Sequence, residues 1–495
     1  MADIFIAYSS TDYKAAKLLF DVLSQSWDVW WDYSLVGNYD EKIEREIPKA
    51  QCLVSILTNA SRNSEVMKDE WRLANKHNVE IIPAKLEECD APLGFYAKSY
   101  VELFDWNGGT DHPGIKQLQA KISSLVAPRT APKRPKETEN GQIELPAVFL
   151  SVSSHETRIK PLNAVQVLSA FNVSETGDEP LLGNPTILLS AYDLVEMRYP
   201  EKKIAKLEEL RSELGHFRDK RGFIMIDSGN YEAKRLADKT WNRKLFEETL
   251  RNTPHDCALS FDYHEPPENL KNWKREPLTG IEEIVKGVQR DQKLTTKPIV
   301  PIIHSPVRDE GGHNLEQLPT IVRKISERFN PPLIAIPERE LGPGLIECAR
   351  AVRKIREELN KLPFYQPIHL LGTGNPWSIT VYTAAGADSF DGLEWCRMVV
   401  DRRDGRLYHV QQFSIFKDPM ADAISEITKL ALRDVKDGGL DYAGKIAFHN
   451  LDYFSDFSRD LRQYAINGKS GELVTYLLVK DNVDRLKYEM PELFQ

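Results

Sequence analysis

Four residues in the middle and later parts of this chain occupy matching places. "FIMID" ends at Asp227, "CALSFD" at Asp262, "ADSFD" at Asp391 and "PIVPIIH" at His304. Each segment is a short apolar run of the kind that forms a buried strand. Carboxylates and imidazoles take up and release protons, and a carboxylate can also attack carbon. If these runs are strands of one barrel, the four side chains converge on its mouth, where barrel enzymes keep their chemistry. A carboxylate at a strand end can instead cap the following helix, but three at comparable strand ends are less easily explained that way. A further acid lies in "NSEVMKDEWRLAN", Asn63 to Asn75, which reads as one amphipathic helix. There Asp69 and Glu70 run directly into Trp71. Helical pattern alone makes Glu70 a solvated surface residue.

The elements that must position these residues follow from the apolar periodicity. "AVFLSV", "TILLSA", "FIMID", "CALSFD", "PIVPIIH", "LIAIP", "IHLLG" and "ADSFD" are strand candidates. Helical stretches such as "NLEQLPTIVRKISERF" and "GLIECARAVRKIREELN" lie between some of them. This alternation suits a TIM (β/α)8 barrel. "MADAISEITKLALRDV" and "FSRDLRQYAI" read as added helices. Nearer the N-terminus, "IFIAYS", "DVWWDY", "CLVSILT" and "VEIIPAKL" are strand candidates separated by helical segments. That order implies a parallel sheet with helices on both faces and ligands beyond the carboxyl ends of its strands. Between the two regions lies "APRTAPKRPKETENGQ", Ala127 to Gln142, with three prolines and no apolar periodicity. It reads as a linker. The expected organisation is a domain over 1–126, a linker over 127–142 and a barrel over 143–495.

Composition narrows the class. The chain has 495 residues, more than one ordinary domain, with 41% apolar and 28% charged residues. No stretch approaches the roughly 18 consecutive apolar residues of a membrane span. "MADIFIAYSS" carries no basic region before its apolar run, against a signal peptide. The five cysteines, Cys52, Cys89, Cys257, Cys348 and Cys396, are scattered singly without CxxC spacing. Neither a disulfide framework nor a zinc knuckle is indicated, and a cytoplasmic location is the default. A net charge of −9 argues against broad nonspecific nucleic-acid binding, though a local basic groove stays open.

Residues 3–126 resemble a TIR domain. The resemblance rests on "DIFIAYSSTD", on "WDYSLVGNYDEKIEREIPKAQCLVSILT" and on "NSEVMKDEW". The last is similar to the helix that carries the family's catalytic glutamate, which implies that role for Glu70; Val66 stands where the family often has tryptophan. The implied reaction is cleavage of NAD+ between nicotinamide and ribose. Nicotinamide is already a cationic leaving group, so no acid must protonate it, and a fixed carboxylate stabilises the positive charge that develops on the ribose. Tyr8, Trp31 and Tyr33 are candidates to stack on the ligand, and Ser9, Asp32 and Ser34 to hydrogen-bond it.

Residues 147–470 resemble the tRNA-guanine transglycosylase family. "ILLSAYDLVEMRYP", "FIMIDSGNYEAKR", "CALSFDYHEPP", "LLGTGNPWSITVYTAAGADSFDGLEWCR" and "FHNLDYFSDFSRDLR" look like its motifs in order. The resemblance implies Asp391 as the nucleophile on the ribose anomeric carbon, Asp227 in acid–base chemistry and Asp262 as reader of a guanine-like base. Several positions depart from the family. Asn230 replaces a glycine, His304 replaces a base-reading glutamine, and "IPEREL" replaces a Gly-Gly-Leu loop. "GTGNP" could cradle a phosphate. His449 matches the histidine of the family's zinc site, but no cysteine follows Cys396, so no metal is expected.

Together these resemblances imply an NAD+ glycohydrolase effector, with NAD+ as substrate, joined to a barrel that senses or binds a nucleobase or nucleic acid. Anti-phage defence in the cytoplasm, with self-association through the TIR domain, suits that pairing. One alternative is a guanine or 7-deazaguanine base-exchange enzyme whose TIR domain is an assembly module. Another is a noncatalytic TIR signalling scaffold.

Overall fold

A computed structural model describes residues 3–24, 26–31, 39–90, 99–127, 132–138, 143–152, 159–160, 162–171, 185–198, 201, 204–262, 277–307, 312–416, 422–433 and 439–494. The chain divides into two compact units, Met1–Pro132 and Lys133–Gln495. The division falls inside the proline-bearing stretch 127–142.

In the first unit the strands are β1 (Ile4–Ala7), β2 (Val29–Trp30), β3 (Cys52–Leu57), β4 (Glu80–Lys85) and β5 (Val101–Glu102). They form one parallel sheet in the order β2-β1-β3-β4-β5. The helices are α1 (Tyr13–Leu23), α2 (Tyr39–Glu46), α3 (Glu65–Lys76) and α4 (Pro113–Leu125), with a short helical turn at Asn59–Arg62. Alternate strand residues face opposite sides of a sheet. Ile4 and Ile6 pack with Leu19 of α1 and Ile115 and Leu118 of α4. Phe5 and Ala7 pack with Ile43 of α2 and with Met67, Trp71 and Ala74 of α3. Both faces are therefore apolar, which is why the strands read as unbroken apolar runs.

The second unit contains eight parallel strands: β6 (Ala147–Val152), β7 (Thr186–Ser190), β8 (Phe223–Asp227), β9 (Cys257–Leu259), β10 (Ile299–Val300), β11 (Ile334–Pro337), β12 (Ile368–Leu371) and β13 (Ser389–Gly392). Their order is β10-β9-β8-β7-β6-β13-β12-β11. A parallel bridge between Ile302 and Ala335 joins the two ends, so the sheet closes into a barrel. Inside lie Ala147, Phe149, Leu188, Met225, Leu259, Val300 and Ala335. Their neighbours Val148, Leu150, Ile187, Leu189, Ile224 and Ile226 point outward into the layer of helices. All eight strand candidates form strands, but β9 and β10 are shorter than their apolar runs. Asp262 and His304 therefore lie past the regular ladder rather than at its last rung. Pro301 contributes to this, since it has no N–H to donate to a neighbouring strand. The added helices are Glu426–Leu432, Tyr442–Ile466, Ser470–Leu477 and Lys480–Glu489.

At the amino end of β13, Asp388 gathers a buried network. It accepts hydrogen bonds from Arg134 (2.7 Å), Arg356 (2.6 Å) and Tyr365 (2.6 Å). Arg134 belongs to the stretch expected to be a linker. Its guanidinium also donates to the carbonyls of Thr383 and Ala387, so this part of the stretch is built into the second unit.

Candidate functional site

On α3, Ser64 caps the first turn by accepting the Met67 N–H at 3.4 Å. Met67, Glu70, Trp71 and Ala74 follow the i, i+3, i+4, i+7 spacing of one helical stripe, and all four are buried. Glu70 is 4% exposed. The adjacent Asp69 is exposed and pairs with Arg72 at 2.6 Å in the ordinary surface manner. Trp71 anchors the helix, its indole N–H donating to the Ser55 hydroxyl of β3 at 2.8 Å.

The aromatic candidates divide between the two faces of the sheet. Trp31 is buried among Tyr8 (5.9 Å between ring centroids), Tyr13 (5.3 Å) and Phe20 (5.4 Å), within the core that α1 covers. Its neighbour Trp30 faces the α3 side and stacks on Phe5 at 4.6 Å. Of the two tryptophans at "WW", it is Trp30 that shares a core with the Glu70 helix, and sequence reasoning passed over it. Strand alternation at "WW" was the available signal. Ser9 follows Tyr8 and lies 3.1 Å, hydroxyl to hydroxyl, from Thr11. Asp32, Tyr33 and Ser34 lie outside the described residues.

In the second unit Asp227, Asp262, His304 and Asp391 all line one cavity of about 380 Å³ at the carboxyl end of the barrel. The Gly372 N–H donates to Asp391 Oδ1 at 2.8 Å and the Ser151 hydroxyl to Oδ2 at 3.1 Å. Nε2 of the buried His369 lies 3.4 Å from Oδ1. These contacts orient the carboxylate at the cavity wall. Asp227 is placed differently. Burial, and then the charge of Asp262, raise its carboxyl to about 7, although the Gly229 N–H donates to it at 3.2 Å. Asp227 is thus placed to hold its proton toward neutral pH, as a proton carrier in such a cavity would.

Asp262 is heavily hydrogen-bonded. Ser228 Oγ donates to Oδ1 at 2.6 Å and Asn230 Nδ2 at 3.2 Å, while His304 Nε2 lies 2.9 Å from Oδ2. Asn230, in place of the expected glycine, thereby becomes a partner of the base-reading candidate. His304 Nδ1 in turn lies 2.9 Å from Glu340 Oε1. Burial works against a charged ring, but the hydrogen bonds and charges of Asp262 and Glu340 outweigh it and raise His304 to about 9. Burial likewise opposes charge on Glu340, yet His304 and the Ser305 N–H hold that carboxyl below its ordinary value. Glu340 belongs to the altered "IPEREL" segment, whose acidic residues were the signal for it.

Glu394 also lines the cavity and was missed by sequence reasoning. A β-carbon on Gly374 would lie 1.9 Å from its Oε2, and one on Gly392 2.2 Å. Those glycines make room for the carboxyl, which burial pushes up, the Asp391 charge adding to the effect. "GTGNP" thus faces an acid beside Gly374, an arrangement that disfavours a phosphate at that segment. His449, which matches the histidine of the family's zinc site, is buried between Phe413 (5.2 Å) and Phe416 (5.8 Å). Its Nε2 hydrogen-bonds the Val400 carbonyl at 2.9 Å. Aromatic packing does not fit a thiolate-rich zinc site. Among the described residues no group of three His, Cys, Asp or Glu could hold a metal, and no helix is long and apolar enough to cross a membrane.

A five-stranded parallel α/β unit followed by an eight-stranded barrel with acids at its mouth defines a two-domain α/β protein with an acid-lined barrel cavity. Residues 4–119 match the family described as TIR domain. The chain is 24% identical over 224 residues to a tRNA-guanine(15) transglycosylase of Pyrobaculum aerophilum, a match covering 43% of this chain and 41% of that protein. It is 25% identical over 178 residues to a tRNA-guanine(15) transglycosylase of Methanopyrus kandleri, covering 35% and 36% respectively. The chain is a TIR domain joined to a tRNA-guanine transglycosylase-like unit. It spans about two-fifths of the length of these curated relatives.

Proposed function

We propose that the TIR domain hydrolyses NAD+ and that the barrel binds a nucleobase, free or within a nucleic acid, to control that activity. The observation that carries this reading is the burial of Glu70, 4% exposed, in a helix whose neighbouring acid Asp69 is solvated. Burying a carboxylate costs free energy that pairing or hydrogen bonding must offset, so Glu70 is not an ordinary surface acid. Here it stabilises the ribosyl cation as the bond from ribose C1′ to the nicotinamide nitrogen breaks. Nicotinamide leaves neutral, water supplies the new C1′–O bond, and one proton passes to solvent. Depletion of a dinucleotide in this way suits anti-phage defence in the cytoplasm, with self-association of the TIR domain as the means of restraint and release. The test is nicotinamide release by the purified full chain, with and without phage nucleic acid. Wild type is active under at least one condition and Glu70→Gln is reduced by about a hundredfold or more, in line with loss of an electrostatic stabiliser. Equal release by both proteins excludes the role given to Glu70.

A second reading is favoured by the barrel cavity, where the oriented Asp391 and the proton-retaining Asp227 face the same space. In base exchange Asp391 bonds to the ribose anomeric carbon as the base leaves, and Asp227 gives the base its proton. The incoming base then returns a proton and displaces Asp391. The homology of this unit to tRNA-guanine(15) transglycosylases supports that chemistry. Incorporation of labelled guanine or 7-deazaguanine into tRNA or DNA, abolished in Asp391→Asn, is its expected result. Silence in both assays leaves the noncatalytic TIR scaffold.

A further inference from the structure

The cavity wall around Asp262 is less open than a carboxylate that must grip two donors of one ligand. A carboxylate offers about four lone-pair positions. Ser228 and Asn230 take the two on Oδ1, at 2.6 and 3.2 Å, and His304 Nε2 takes one on Oδ2 at 2.9 Å. The imidazole cannot easily turn away. Its Nδ1 is held by Glu340 Oε1 at 2.9 Å, and Glu340 Oε2 accepts the Ser305 N–H at 2.9 Å. Both ring nitrogens face carboxylate oxygens, so the ring that satisfies them is the doubly protonated imidazolium. Its two N–H bonds are both spent on the protein.

We propose that Asp262 keeps at most one acceptor position for a ligand, so that the cavity takes a base with one donor at its recognition edge as readily as a base with two. His304 is then the specificity-determining residue. Guanine presents a ring N–H and an adjacent amino group at that edge, and hypoxanthine presents the ring N–H alone. Where a site has acceptors for both donors, the base lacking one is penalised by about tenfold or more, because a buried acceptor goes unpaired. Here the second donor of guanine meets an oxygen already occupied. This inference rests on the barrel being a nucleobase site.

Equilibrium dialysis of the full chain with labelled guanine and labelled hypoxanthine tests it. In wild type the two Kd values agree within about threefold, or hypoxanthine binds tighter. In His304→Phe the ring remains but its donors are gone, Asp262 Oδ2 loses its histidine partner, and guanine gains a preference of about tenfold or more. A tenfold guanine preference in wild type overturns the proposal without recourse to any variant. An unchanged ratio in a folded His304→Phe, checked by circular dichroism, overturns the assignment to His304. If that variant does not fold, Glu340→Gln replaces it; it removes the anion that holds Nδ1, and a shift toward guanine is again required. If neither base binds wild type, the nucleobase reading of the barrel falls and the inference with it. Binding of both bases without the expected ratio sinks the inference alone.

Discussion

Replacing Asp227 by asparagine should make the protein more stable at pH 8 and leave it unchanged at pH 4. The folded chain raises this carboxyl from an ordinary value of 3.8 to about 7, chiefly by burial and then by the charge of Asp262. In the unfolded chain it titrates near its ordinary value. Between those values the native state retains a proton that the unfolded state has released. The stability tied to this group is therefore fully present below 3.8 and is lost as pH rises through about 7. Each tenfold in proton affinity is worth about 1.4 kcal/mol, so the gap amounts to about 4 kcal/mol above pH 7. Asparagine has nearly the same shape, carries no charge, and can still accept the Gly229 N–H that donates to Asp227 at 3.2 Å. Chemical denaturation of wild type and Asp227→Asn at pH 4, 6 and 8 measures the difference, read from the transition that the substitution moves. The advantage of the variant should be near zero at pH 4, grow to pH 7 and then level off. A difference independent of pH, or a variant less stable than wild type at pH 8, would refute the reasoning. Loss of base exchange in the same variant would mark the position as one where stability is given up for chemistry.

Other expectations follow from particular contacts. Arg134→Ala removes one partner of the buried Asp388 and should cost about 3 kcal/mol in denaturation of the second unit, with little dependence on salt. Trp71→Phe should cost about 1–2 kcal/mol, since the buried Ser55 hydroxyl loses the indole donor at 2.8 Å. Gly374→Ala brings a β-carbon within 1.9 Å of Glu394 Oε2 and should lower the thermal midpoint; Glu394→Ala in the same chain should recover part of it. Treatment with a chelator should leave the midpoint of the second unit unchanged, because His449 is packed between Phe413 and Phe416.

Much of the fold was legible because strand and helix patterns are local. The apolar runs of "AVFLSV" and "FIMID" became β6 and β8 because helices outside and packed side chains inside leave no solvent face. Asp227 and Asp391 were legible as site candidates for the same reason: each lies near the carboxyl end of a strand that the run itself defines. The helix α3 was also legible, but not its buried face: helical pattern alone had made Glu70 a surface residue, and packing buries it in one stripe with Met67, Trp71 and Ala74.

What the sequence determined by itself was therefore the number and kind of elements, which residues lie at their ends and which apolar residues lie on their inner faces. Those properties repeat every two or 3.6 residues and need no distant partner. The tertiary structure decided the partnerships. It set Glu340 against His304 across 36 residues of chain and Ser151 against Asp391 across 240. It also put Trp31 in the α1-side core and Trp30 in the core shared with Met67 and Trp71. Such contacts depend on strand order, ring closure and twist, which bring together side chains whose separation along the chain carries no period to read.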